Sequence, residues 1–189
     1  EAIKILISNA IDINAEDNYG KTVLNEAVER GDSMMIRYLL GQGASVNFIN
    51  TSGRTIFQDI ALEGNAKLFK MLIAYNPDLD YIDSYGRTVL FDAVDGGSLE
   101  IVKEILLNID DPNITDKNGQ SILFHAALHA DTSIIKHLID YDLDINLKNL
   151  SYNSKKIILD GRSRLGNIIA IGSKVKIKNL YEELMQINL

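Results

Sequence analysis

Two histidines four residues apart, His125 and His129, form the one local arrangement in this chain with metal-ligand spacing. On a helix that interval puts both imidazoles on one face, as zinc requires of a helical pair. Asp92 and Asp95 stand about one 33-residue interval earlier and could complete such a site across a groove. The general-base glutamate of the zinc-protease motif is missing, however, with Ala126 after the first histidine. Two groove-lining histidines making polar contacts are the better reading, and His137 is peripheral. Other chemistry is thinner still. Cysteine is absent, which removes disulfides, thiolate ligands and thiol nucleophiles together. No phosphate-cradling glycine loop and no Gly-x-Ser-x-Gly nucleophile turn occurs. Carboxylates are plentiful, but acid/base work needs burial to shift their pKa values, and an open groove argues against such shifts. The expectation is therefore no catalytic residue, no metal, no cofactor and no enzyme.

What must position these residues is a repeat. Asp17-Asn-Tyr-Gly20-Lys-Thr22-Val-Leu24, Asn50-Thr-Ser-Gly53-Arg-Thr55-Ile-Phe57, Asp83-Ser-Tyr-Gly86-Arg-Thr88-Val-Leu90 and Asp116-Lys-Asn-Gly119-Gln-Ser121-Ile-Leu123 recur every 33 residues. No single copy can hide its own apolar face, so the copies must stack into a solenoid. Such a stack offers an extended surface and no deep pocket.

Each copy reads as turn, helix, short link, helix and extended loop. The leading Asp or Asn bonds turn amides while glycine supplies a positive φ. The hydroxyl residue caps the first helix. That helix ends near Gly31, Gly64, Gly97 and Ala130, three of them residues suited to a left-handed exit. The second helix buries aligned columns: Met35, Leu68, Ile101 and Ile134; Leu39, Leu72, Ile105 and Leu138; Leu40, Ile73, Leu106 and Ile139. The loop carries the column Ile13, Val46, Leu79, Pro112 and Ile145. Beside it run Asn14, Asn47, Asp80, Asn113 and Asn146, placed to bond loop backbone between neighbouring copies.

The pattern Asp-x-x-Gly-x-Thr-x-Leu-x-x-Ala, a glycine link, a Leu-Leu-type second helix and a Val-Asn-type loop resembles the ankyrin repeat family over about residues 1–148. The resemblance implies an all-α solenoid of helix-turn-helix units with projecting β-turn fingers. It also implies protein binding at the fingers and the concave face. Two departures stand out. The family's proline is replaced by Val23, Ile56, Val89 and Ile122, and its usual histidine by Asn25, Gln58, Phe91 and Phe124. These changes remove a φ lock and a hydrogen bond, so looser copies are expected.

Residues 1–189 read as one domain: a half repeat at 1–16, full repeats at 17–49, 50–82, 83–115 and 116–148, and a degenerate cap at 149–189. The start at Glu1 matches only the second half of a repeat, which suggests a chain that continues upstream. Net charge is −7, with 12 Lys/Arg against 23 Asp/Glu in residues 1–149 and 7 against 3 in residues 150–189. An acidic body argues against nucleic acid, which needs cationic side chains to displace counterions. No apolar run approaches the roughly 18 residues of a membrane span. A monomer in the cytoplasm is expected.

Candidate contact residues follow from the columns that face outward under the resemblance. With Asp17 as the first place, the fifth column is Lys21, Arg54, Arg87 and Gln120. The tenth is Glu26, Asp59, Asp92 and His125, and the thirteenth Glu29, Leu62, Asp95 and Leu128, with Arg30, Glu63 and His129 beside them. The basic and acidic columns could simply pair with one another for solubility, or they could favour a partner segment bearing Lys or Arg. Tyr19 and Tyr85 at finger tips, with Ile49 and Ile82 just before fingers, are placed as amphipathic and apolar anchors. The leading expectation is a non-enzymatic module binding another protein or peptide. The alternative is the targeting arm of a larger enzyme or effector whose active domain lies upstream; self-association through the N-terminal face is a third possibility.

Overall fold

The computed structural model describes residues 12–129 and 132–141; residues 1–11 of the expected half repeat, Ala130 at the expected end of the fourth first helix, and the expected degenerate cap at 149–189 lie outside them. Four helix pairs follow in order: α1 (Val23–Glu29) and α2 (Ser33–Gly41); α3 (Ile56–Leu62) and α4 (Ala66–Leu72); α5 (Val89–Asp95) and α6 (Leu99–Leu106); α7 (Ile122–His129) and α8 (Thr132–Asp140). A short 3-10 turn, Ile73–Tyr75, extends α4. First helices stack in one layer, α3 on α5 and α5 on α7, and second helices in another, α4 on α6 and α6 on α8.

Local chemistry starts each helix. Thr22 and Thr55 cap α1 and α3 with their hydroxyls, and Asn25 and Gln58 bond back to the cap amides at 3.0 and 2.9 Å. The hydrogen bond expected to vanish with the family's histidine is thus replaced in the first two repeats. Thr88 makes no such side-chain cap: the Phe91 amide donates instead to the Thr88 carbonyl at 3.1 Å, while Phe91 is buried and packs edge-on to His125. Asp32, Asn65 and Ser98 cap the second helices. Gly31, Gly64 and Gly97 leave the first helices at φ near +66 to +69°, as a side chain would resist.

The core is continuous through the stack. Leu39, Leu72, Ile105 and Leu138 are buried as expected, and so is a neighbouring column, Ile36, Phe69, Val102 and Ile135. Phe57 of α3 meets Phe69 of α4 edge-to-face, with centroids 5.1 Å apart. The polar loop column stitches repeats together: Ser45 N donates to Asn14 Oδ1 at 2.8 Å, Asp78 N to Asn47 Oδ1 at 2.9 Å, and Asp110 N to Asp80 Oδ1 at 3.1 Å.

Candidate functional site

The fingers are Asx turns. In each, the leading carboxyl or amide oxygen accepts amides two and four residues on, as Asp17 does from Tyr19 (2.8 Å) and Lys21 (2.9 Å). The same pattern holds at Asn50, Asp83 and Asp116. These turns lift Tyr19 and Tyr85 into solvent at 68% and 65% exposure, with Ile49 and Ile82 also exposed. The Arg87 guanidinium lies 5.2 Å from the Tyr85 ring centroid and stiffens that tip. Leu62, at the end of α3, is an exposed apolar residue of the first-helix face.

The charged columns largely satisfy one another. Lys21 pairs with Glu29, and Arg30 with Glu26. Arg54 donates from Nε to Asp59 at 2.7 Å and from Nη2 to Asp92 of the next repeat at 3.0 Å. Burial opposes its charge, but the bond to Asp59 and the nearby Asp92 more than offset that and raise its pKa. Arg87 reaches Asp83 at 3.3 Å and Asp95 at 3.7 Å. Asp95 also holds both histidines, with His125 Nδ1 and His129 Nε2 each 3.1 Å from its Oδ1. Burial pushes Asp95 up, yet the His125 bond and the charges of His125, His129 and Arg87 leave its pKa below the ordinary value. Among the described residues no group of three His, Asp or Glu is arranged to hold a metal ion.

Asp92 corrects the sequence reading twice. Placed among the contact residues, it is 1% exposed and can touch no partner. The groove was also expected to leave carboxylates unperturbed, yet burial lifts Asp92 to about 6 against the opposing charge and hydrogen bond of Arg54. Its Oδ2 has no hydrogen-bond partner, nor does Gln58 Nε2. Nothing in the residue types marked the tenth place of this repeat as deeper than the others. Gly96 accompanies that depth, because its missing side chain lets α5 approach α3: a Cβ there would stand 2.5 Å from the Ala61 and Leu62 carbonyl oxygens. Lys21, Arg54, Asp59, Arg87, Asp95 and Leu128 are half-buried, while Glu26, Glu29, Arg30, Glu63 and His129 are exposed.

Stacked helix pairs, Asx-turn fingers and an interlocked polar loop column define a helical repeat solenoid. A family model described as ankyrin repeats (3 copies) matches residues 25–116 and 95–158, more than half of the sequence, and the chain belongs to the ankyrin repeat family. No curated protein sequence matches it. Ankyrin repeats are generally protein–protein interaction modules and typically non-enzymatic. Among the described residues no helix is long and apolar enough to cross a membrane.

Proposed function

We propose that the chain is a non-enzymatic module that binds a partner protein or peptide along its finger edge and the adjoining first-helix face. The observation that carries this reading is the exposure of Tyr19, Ile49, Ile82 and Tyr85 on turns whose polar groups are already occupied. Amphipathic rings on a rigid polar rim gain binding energy at little cost in conformational freedom. Exposed Glu63 on the neighbouring face, with exposed Glu26 and Glu29 that a partner cation would share with Arg30 and Lys21, and a net charge of −7 favour a partner segment bearing Lys or Arg. A monomer acting in the cytoplasm completes the proposal.

Affinity capture tests it, with wild type compared against Tyr19→Ala/Tyr85→Ala and against Glu26→Lys/Glu63→Lys. The tyrosine variant should lose the main captured protein, and the charge variant should weaken its capture. Recovery of the same proteins in the same amounts by all three folded chains refutes the surface assignment.

A further inference from the structure

The finger edge is not uniformly bonded. Thr51 N donates to Tyr19 O at 3.0 Å, joining fingers one and two, and Lys117 N donates to Tyr85 O at 2.9 Å, joining fingers three and four. Among the described residues no backbone hydrogen bond joins finger two to finger three, where Ser84 N and Ser52 O hold the equivalent places. The glycines report the same break without reference to hydrogen bonds. A Cβ on Gly20 would lie 3.1 Å from Thr51 N, and one on Gly86 would lie 2.9 Å from Lys117 N, but one on Gly53 would meet nothing within 4 Å.

Only side chains bridge that gap. The Tyr81 hydroxyl donates to Gly53 O at 3.2 Å, and Arg54 reaches Asp92. At the far end of the same joint the backbones touch: Gly96 lies against the last carbonyls of α3, and a Cβ on Gly64 would stand 3.3 Å from Gly96 O. The joint between repeats two and three is therefore close along α3 and α5, down to Gly96 at their ends, and open at the fingers, so its free side is the recognition edge.

We infer that the finger edge works as two blocks, fingers one and two and fingers three and four, which turn relative to each other about the contact of Gly96 with α3. Backbone bonds held between rigid Asx turns open only by distorting the turns. Side-chain bridges are released by rotamer changes, which are faster and cost less. Tyr19 and Ile49 ride on one block and Ile82 and Tyr85 on the other, so the turn sets the spacing of the exposed apolar residues. This goes beyond the binding proposal and needs no partner for its test.

The absence of cysteine allows clean labelling. Exposed residues at the second place of each finger are paired as spin-label sites: Asn18→Cys/Thr51→Cys, Thr51→Cys/Ser84→Cys and Ser84→Cys/Lys117→Cys. Pulsed electron-spin distances should give narrow distributions for the outer pairs and one about twice as wide for the middle pair. Arg54→Leu, checked for fold by circular dichroism, should widen the middle distribution alone. In the unlabelled chain, the Thr51 and Lys117 amides should exchange with solvent at least about tenfold more slowly than that of Ser84. Three equally narrow distributions, or equal protection of the three amides, would overturn the inference.

Discussion

Arg54 of the second repeat and Asp92 of the third form an ion pair at 3.0 Å in which the carboxylate is buried and the guanidinium half-buried. One oxygen of Asp92 takes the bond and the other is left without a partner. Burial disfavours the charged form more than Arg54 favours it, which is why its pKa rises from 3.8 to about 6.

That shift fixes the sign of a pH dependence. A carboxyl that binds its proton more tightly folded than unfolded contributes most stability below the unfolded value. The contribution fades as pH rises through the window from 3.8 to about 6. Urea unfolding of wild type should therefore show stability falling between pH 4 and pH 7, by up to about 3 kcal/mol from this group. Asp92→Asn should flatten that slope; an unchanged slope in the variant would contradict the assignment.

Asp95 carries the opposite sign. Its pKa is lowered, so its contribution is present above 3.8 and is lost as pH falls through the folded value beneath it. Asp95→Asn removes the negative charge that His125, His129 and Arg87 share, leaving one acceptor oxygen, and should cost about 1–3 kcal/mol at pH 7. The acid limb of the unfolding profile, measured by circular dichroism, should become shallower in that variant. A stability loss within error at pH 7 would show that the cluster contributes nothing.

Gly96 and Gly31 separate two kinds of glycine. Gly96 caps the end of α5 with right-handed backbone, but a methyl there meets two carbonyl oxygens at 2.5 Å, whereas Gly31 has open space and φ of +66°. Gly96→Ala should cost about 2–3 kcal/mol through overpacking, clearly more than the about 1 kcal/mol that Gly31→Ala loses through backbone strain. Equal effects in chemical denaturation would contradict the close contact between α3 and α5.

The second-helix core gives a plainer test. Phe69 is fully buried and Leu107 is exposed at the end of α6. Phe69→Ala should lose about 3–5 kcal/mol, while Leu107→Ala stays within about 0.5 kcal/mol of wild type. Comparable losses would mean the assigned faces of the second helices are wrong.

These residues also show what was legible beforehand. Helix order, left-handed glycines and the bonding of Asn14, Asn47 and Asp80 repeat at a fixed interval, so each copy supports the others, and the hydroxyl caps hold at Thr22, Thr55 and Ser121 but not at Thr88. The column Ile36, Phe69, Val102 and Ile135 is buried in addition to those read from the repeat, because the buried face of the second helices is wider than three columns. The depth of Asp92 was illegible for another reason. It depends on the spacing between repeats, set by Gly96 on one helix and the carbonyls of another, and the period treats every copy alike. Paired charges along the first-helix face were anticipated as one possibility, and the geometry realises it at Lys21, Arg54 and Arg87.

Site-specific photocrosslinking addresses the binding edge most directly. A benzophenone side chain placed at Tyr85 or Ile82 samples the fingers, and one at Met34 or Leu107 samples the exposed side of the second helices. Crosslinks to one captured protein from Tyr85 and Ile82, with none from Met34 and Leu107, are the expected result. Crosslinks from Met34 and Leu107 alone would place recognition on the opposite face and contradict the account.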